Sequence, residues 1–181
     1  MGNDFLNLKP FVGDIKEMPL LSKSVDITIS NHALEPNGKN LHKLMLELFR
    51  VTAEKLILFE PCYEINSEKG KKRMDKLGYI KNLDKTIKKL KGKILEKIII
   101  KNPSNSLNPT VCFVVSPPKT INVAKYKNLN KKNIFTVPWT NFNITKIDNF
   151  YHLNATGLCF PILKSIPILS NNAILASCLS N

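Results

Sequence analysis

The strand, helix, strand pattern between residues 25 and 59 constrains the fold of this chain more than any other feature. Val25-Asp-Ile-Thr-Ile-Ser30 alternates apolar and polar residues and is rich in β-branched types, which predicts a strand. Apolar residues at helical spacing predict a helix over about 41–52. The continuous apolar run Lys55-Leu-Ile-Leu-Phe59 predicts a second strand, buried on both faces of a sheet. A right-handed crossover between parallel strands is the default for such a unit.

Two later strands extend this predicted sheet. Lys93 to Ile100 and Thr110 to Ser116 have strand composition, and the polar connection Asn102-Pro-Ser-Asn-Ser-Leu-Asn-Pro109 has no helical pattern. A connection this short joins antiparallel neighbours, so the sheet changes from parallel to antiparallel at one edge. Two helices are expected before this pair, the first capped by Ser67 and stopped by Gly78.

A polar, lysine-rich segment separates the last part of the chain. We place a first domain at residues 1–118, a linker at 119–134 and a small tail at 135–181. The tail consists of short apolar pieces interrupted by proline, which predicts small β structure held by its apolar residues, Trp139 among them. We also expect a cytoplasmic chain with no membrane partner, because no apolar run reaches membrane-helix length and the segment before Pro10 lacks a signal-peptide pattern.

The net charge of +13 is compatible with phosphate-rich partners. Of the 27 basic residues, however, only Arg50 and Arg73 are arginines. Arginine is favoured for reading base edges and for holding phosphates with two hydrogen bonds, so we do not expect a nucleic-acid partner. The four cysteines include no Cys-x-x-Cys pair, so we expect neither a disulfide framework nor a metal site.

Four successive motifs resemble the central region of class I S-adenosylmethionine-dependent methyltransferases. They are Phe11-Val-Gly-Asp-Ile-Lys-Glu-Met-Pro19, Ser24-Val-Asp-Ile-Thr-Ile-Ser-Asn-His-Ala-Leu-Glu35, Leu46-Glu-Leu-Phe-Arg-Val51 and Leu56-Ile-Leu-Phe-Glu-Pro61. The resemblance covers about residues 10–116. It implies the carboxyl-terminal strands of a Rossmann-like α/β sheet, with the last strand inserted beside residues 55–59. It also implies S-adenosylmethionine as cofactor and a small molecule or a glycan precursor as methyl acceptor, bound at the carboxyl ends of the strands.

The tail carries a second resemblance. Thr156-Gly-Leu-Cys-Phe-Pro-Ile-Leu-Lys-Ser-Ile-Pro-Ile-Leu169 is similar to the ending of small zinc-knuckle proteins that activate methyltransferases. Those modules hold zinc with cysteine pairs, which this tail lacks. Because His152 and Cys159 do not complete four ligands, we expect no structural zinc.

The methyltransferase resemblance implies two sets of site residues. The cofactor set is Asp14, Ile15 and Asn31, and the acceptor set is His32, Glu35, Glu60 and Tyr63. The residue types alone leave other roles open: Asp14 suits a turn or a helix N-cap, and Glu60 with Pro61 suits a strand end. His32 suits either a general base or a hydrogen-bonding role. We therefore assign no catalytic residue.

The glycine-rich cofactor loop of the family is missing, since none of the seven glycines forms a G-x-G pair. We therefore expect the chain alone to bind S-adenosylmethionine weakly or not at all. The apolar strand at Val25 would have an unpaired edge, which suits a second copy or a complementing chain. Three hypotheses result: a methyltransferase-family protein, a non-catalytic subunit of a complete methyltransferase, or a lysine-rich nucleic-acid binder.

Overall fold

Two sheets form the framework of the chain, one mixed and one antiparallel, in a computed structural model that describes residues 8–101, 103, 105–119, 133–138 and 140–176. The mixed sheet and its helices comprise β1 (Val25–Asn31), α1 (Leu41–Val51), β2 (Thr52–Pro61), α2 (Glu68–Leu77), α3 (Leu83–Lys89), β3 (Lys93–Ile99) and β4 (Thr110–Ser116). The architecture is thus mixed α/β.

The strand order of the mixed sheet is β1-β2-β4-β3. Strands β1 and β2 are parallel and are joined by α1, as the strand, helix, strand pattern predicts. Strand β4 is antiparallel to both β2 and β3 and lies between them. The antiparallel pair and its insertion beside β2 were both predicted, and both are confirmed.

The two faces of this sheet differ in burial. One face is covered by helices, with α1 packed on β2 and α3 packed on β3. Its buried side chains are Leu56, Leu58, Val111, Phe113 and Val115. On the opposite face, Ile27 is 50% exposed and Ile29 is 66% exposed. Both isoleucines belong to β1, an edge strand with no second neighbour among the described residues.

Helix α1 forms because its apolar residues make one continuous stripe, which is buried. The buried residues are Leu41, Leu44, Met45, Leu48, Phe49 and Val51. At its carboxyl end, Lys23 Nζ donates hydrogen bonds to the carbonyl oxygens of Phe49 (2.7 Å) and Thr52 (2.9 Å). A cation here satisfies carbonyls that have no partner within the helix, and it opposes the negative end of the helix dipole.

Strand β2 begins three residues earlier than predicted. The hydroxyl groups of Thr28 and Thr52 lie 2.6 Å apart, so the polar start of β2 pairs with β1 before the apolar run begins. Helix α2 has the predicted ends: Ser67 Oγ accepts a hydrogen bond from the Gly70 amide, and Gly78 has a φ of +66°. None of the described helices is both long enough and apolar enough to span a bilayer.

The antiparallel sheet occupies the tail, in agreement with the predicted small β structure. Its strands are β5 (Thr145–Ile147), β6 (Phe150–Leu153), β7 (Leu158–Leu163), β8 (Ile166–Pro167) and β9 (Leu175–Ala176). Strands β5 to β8 are adjacent in order, and β9 pairs with β7. The core of this unit consists of Val137, Ile144, Phe160 and Leu169. Trp139, predicted to contribute, lies outside the described residues.

The chain divides into two compact units, one formed by Met1–Leu21 and Leu129–Asn181 and the other by Ser22–Asn128. In the first unit, Val12 forms a parallel bridge with Ile168, and Leu20 forms an antiparallel bridge with Phe135. The amino-terminal segment is therefore part of the tail unit. The boundary after Leu21 was not predicted from the sequence.

Candidate functional site

A cluster of four polar side chains lies where β1 ends and β4 begins. His32 Nδ1 is 2.8 Å from Glu35 Oε2, and His32 Nε2 is 3.0 Å from the Thr110 hydroxyl. The Asn108 amide nitrogen donates to Glu35 Oε2 at 3.2 Å. We call His32, Glu35, Asn108 and Thr110 the His32 cluster. It links the carboxyl end of one predicted strand to the start of another.

The backbone brings these residues together in two steps. His32 follows β1 directly, and its amide donates to the carbonyl of Phe59 at 2.9 Å, so it continues the pairing with β2. Its φ of +54° then turns the chain away from the sheet. A 3₁₀ turn at Glu35–Asn40 follows. Because β4 is antiparallel to β2, Thr110 lies opposite Pro61 and therefore at the same end of the sheet.

The 3₁₀ turn is held by the segment that follows α2. The amide of Gly38 donates to the carbonyl of Gly78 at 3.0 Å, and the amide of Ile80 donates to the carbonyl of Glu35 at 2.9 Å. A Cβ atom added at Gly38 would lie 2.5 Å from the Gly78 carbonyl oxygen. Glycine is therefore required at position 38 for this close backbone approach, which in turn positions Glu35.

Glu60 lies beside the His32 cluster and is fully buried. Its Oε1 accepts hydrogen bonds from the Ser30 hydroxyl at 2.6 Å and from the Leu34 amide at 3.2 Å. Its Oε2 has no hydrogen-bond partner in the described part of the chain. Burial raises the pKa of the Glu60 carboxyl above its usual value, although these two hydrogen bonds oppose the shift. The site therefore favours a neutral, protonated Glu60 more than an exposed position would.

The geometry allows proton transfer between a side chain and a polar ligand. With Glu35 accepting from Nδ1–H, His32 Nε2 can accept a proton from a hydroxyl group. The Thr110 hydroxyl lies 3.2 Å from the Asn108 carbonyl oxygen and 3.0 Å from His32 Nε2, so it can donate to either. The His32 side chain is 35% exposed, which leaves it accessible from solvent. The cluster can thus bind a hydroxyl or amino group and exchange a proton with it.

The structure brings together three of the four predicted acceptor residues: His32, Glu35 and Glu60. The fourth, Tyr63, makes other contacts: its hydroxyl donates to Asp75 Oδ2 at 3.2 Å, and Lys81 Nζ lies 4.5 Å from its ring centroid. These contacts join Tyr63 to the end of α2 and the segment after it, so we find no link between Tyr63 and the His32 cluster.

The three predicted cofactor residues are divided between the two units. Asn31 ends β1 in the sheet unit and is exposed. Asp14 and Ile15 lie in the tail unit. Asp14 Oδ1 accepts from the Lys16 amide at 2.8 Å, and Asp14 Oδ2 pairs with Lys16 Nζ at 3.3 Å. Asp14 therefore serves as a turn residue, one of the two roles that its residue type suggests.

Three residues of the site were missed by the sequence analysis: Ser30, Asn108 and Thr110. A signal for Thr110 was available, because an antiparallel strand inserted beside β2 must begin at the end where β2 finishes. Asn108 offered no comparable signal, since it lies in an irregular connection. Its position depends on contacts such as the bond from the Cys62 amide to the Pro109 carbonyl, 2.8 Å long.

No group of three histidine, cysteine or acidic side chains that could hold a metal ion occurs within the described ranges. Cys62, Cys112 and Cys159 are buried free thiols, and Cys178 lies outside those ranges. Comparisons of the chain with protein-family models, curated proteins and solved structures found no match.

Proposed function

We propose that this chain is an S-adenosylmethionine-dependent methyltransferase-family protein whose His32 cluster binds the methyl acceptor. The observation that carries the proposal is the insertion of antiparallel β4 between β2 and β3. This strand order agrees with the order that the family resemblance implies. It also places polar side chains at the carboxyl ends of β1 and β2, where open α/β sheets bind their ligands.

The described residues suit an acceptor better than they suit S-adenosylmethionine, which would supply the methyl group. His32 and Thr110 offer a proton acceptor and a hydroxyl 3.0 Å apart, which fits the hydroxyl or amino group of a small molecule or glycan precursor. On the cofactor side, Asp14 is engaged with Lys16, and the chain contains no G-x-G pair. We therefore derive no reaction step that runs through the cofactor.

The direct test is a titration of the isolated chain with S-adenosylmethionine, followed by nuclear magnetic resonance. We expect binding weaker than micromolar, because the backbone amides of a glycine loop are missing and each lost hydrogen bond weakens binding by about 1–3 kcal/mol. At millimolar ligand, amide shifts should change at residues 31–35, at Asn108 and at Thr110. Methionine alone should leave these shifts unchanged.

Two outcomes would contradict this proposal. If the shift changes caused by millimolar S-adenosylmethionine fall only outside these positions, the His32 cluster is not next to the methyl donor. If calorimetry instead shows micromolar binding that Asp14→Ala abolishes, another segment supplies the cofactor site.

A second candidate is a non-catalytic subunit that pairs through the edge of β1. The exposed isoleucines of this edge strand, Ile27 and Ile29, favour it, because exposed apolar edges readily pair with another strand. The partner would be a second copy or a complementing methyltransferase chain.

Sedimentation velocity tests pairing with a second copy. Self-association should be lost in Ile29→Lys and retained in Leu46→Lys, which places the same charge on an exposed position of α1. A chain that stays monomeric at all concentrations would exclude pairing between copies and leave only a complementing chain.

A further inference from the structure

A cavity of about 560 Å³ lies within the tail unit, apart from the His32 cluster. Its walls are the segment Leu8 to Pro10, the turn between β5 and β6, and the turn between β7 and β8. Phe135 and Tyr151 also line it. This volume lies within the range of about 300–1,000 Å³ that is typical of small-molecule sites in proteins.

The backbone around the cavity is held in place by hydrogen bonds. The amide of Ile162 donates to the carbonyl of Asn149 at 2.8 Å, which ties the β5–β6 turn to β7. Lys164 and Ser165, with φ values of +48° and +66°, form a tight two-residue turn between β7 and β8. The amide of Val12 donates to the carbonyl of Pro167 at 2.8 Å. These hydrogen bonds and the tight turn hold the backbone segments of the lining together.

The lining of the cavity carries a net positive charge. Lys9, Lys146 and Lys164 line it, against one acidic residue, Asp148. No ion pair involves any of these four side chains within the described part of the chain. These three lysines line the same concavity. An anionic group in the cavity would therefore meet three lysines and one carboxylate, which is a net positive charge.

Aromatic and aliphatic side chains form another part of the lining. The rings of Phe135 and Tyr151 pack edge to face, with centroids 5.2 Å apart, and Ile162 and Ile166 also contribute to the lining. Burial raises the pKa of the Tyr151 hydroxyl, so the phenol stays protonated and can donate a hydrogen bond. An aromatic or aliphatic ligand body would pack against these side chains and lose part of its contact with water.

We propose that this cavity binds a small organic anion with an apolar body and one acidic head group. The body would pack against Phe135 and Tyr151, and the head would lie between Lys146 and Lys164. Such a ligand fits both the net charge and the aromatic part of the lining, whereas a purely inorganic anion would leave that part without a partner. The proposal does not depend on methyl transfer.

The test uses 1-naphthoate as the probe and neutral 1-naphthamide as its matched control. Both have the same ring body, so the difference between them isolates the acidic head. By calorimetry or amide shift changes, the natural chain should bind naphthoate about fivefold more tightly than naphthamide, as expected for one charge-assisted contact near a surface. Shift changes should map to residues 149–151 and 162–166.

The variant Lys146→Gln with Lys164→Gln should lose this fivefold preference and retain the weaker binding of naphthamide. The control, Lys88→Gln with Lys89→Gln, removes the same charge from α3 in the other unit and should change neither affinity. Equal binding of the two probes to the natural chain would overturn the proposal. So would the absence of naphthoate binding at millimolar concentration, or an equal loss in the α3 control.

Discussion

The buried carboxyl of Glu60 shows how one residue links the stability of this chain to pH. Both of its hydrogen bonds, from Ser30 and from Leu34, go to Oε1, and Oε2 is without a partner among the described residues. Because burial raises its pKa, the folded chain binds this proton more tightly than the unfolded chain does. Its contribution to stability is therefore greatest below the unfolded pKa and falls as pH rises through the folded pKa.

Glu60→Gln should make the chain more stable than the natural protein at pH 8. The glutamine carbonyl can accept both hydrogen bonds, and the neutral side chain has no charge to bury. The difference in unfolding free energy between the variant and the natural chain should vanish by about pH 4, the usual pKa of an unfolded glutamate. Urea unfolding across this pH range measures it, and an advantage that does not change with pH would contradict the assignment. Glu60→Ala should destabilise at every pH, by about 1–3 kcal/mol for each donor left unpaired.

Gly38 provides a second prediction at a single position. In Gly38→Ala, the new Cβ would lie 2.5 Å from the Gly78 carbonyl oxygen and 2.7 Å from that of Tyr79. Backbone atoms cannot move aside cheaply, so we expect a loss of about 2–3 kcal/mol in unfolding free energy. Gly78→Asn is the control, since no atom lies within 4 Å of a Cβ there and asparagine tolerates its positive φ; it should cost less than about 1 kcal/mol. Equal losses would show that the Gly38 contact is not tight.

Among the elements, helices were more predictable than the start of a strand. The apolar stripe of α1 recurs every three to four residues, and the whole stripe is buried. Asn40, a residue type that often caps helices, precedes α1, but its side chain makes no capping hydrogen bond, because the preceding 3₁₀ turn leads directly into α1. The early start of β2 depends on the contact between the Thr28 and Thr52 hydroxyls, which no local pattern reveals.

Two neighbouring leucines on α1 test whether this stripe supports the sheet. Leu48 is 2% exposed and Leu46 is 48% exposed. Leu48→Ala should lower the unfolding free energy by about 2–5 kcal/mol, because it removes buried methyl groups and leaves a cavity. Leu46→Ala should change it by less than about 1 kcal/mol. Urea unfolding of both variants measures the difference, and similar losses would mean that α1 is oriented differently.

The whole molecule carries a net charge of +13, yet its arginines are engaged elsewhere. Arg50 makes two hydrogen bonds of 2.7 Å to the Glu47 carboxylate, and the Arg73 guanidinium lies 5.3 Å from the Tyr79 ring centroid. Both guanidinium groups already contact other side chains and are not available for reading base edges. The lysines provide charge without a defined reading geometry.

We therefore expect duplex DNA to bind only through attraction between its phosphates and the lysines of the chain. At physiological salt we expect dissociation constants no tighter than the roughly 10⁻⁴–10⁻⁶ M of nonspecific binding, with a steep loss of affinity as salt rises. Fluorescence anisotropy with two unrelated duplexes at low and physiological salt measures both quantities. Nanomolar binding at physiological salt, with a preference for one duplex, would instead support the nucleic-acid hypothesis.

The sequence by itself determined the helices, the main strands and the antiparallel pairing of β3 with β4, because apolar periodicity, turn residues and connection length act over short distances. The insertion of β4 beside β2 was predicted only through the family resemblance. Only the tertiary structure decided which polar groups meet. Thr110 reaches His32 across 78 positions and Asn108 across 76, and such contacts depend on strand register and loop packing. The boundary between the two units after Leu21 also depends on contacts between distant residues. Residues before Leu21 join the tail unit through backbone bridges to Phe135 and Ile168, and backbone groups carry no signature in the sequence.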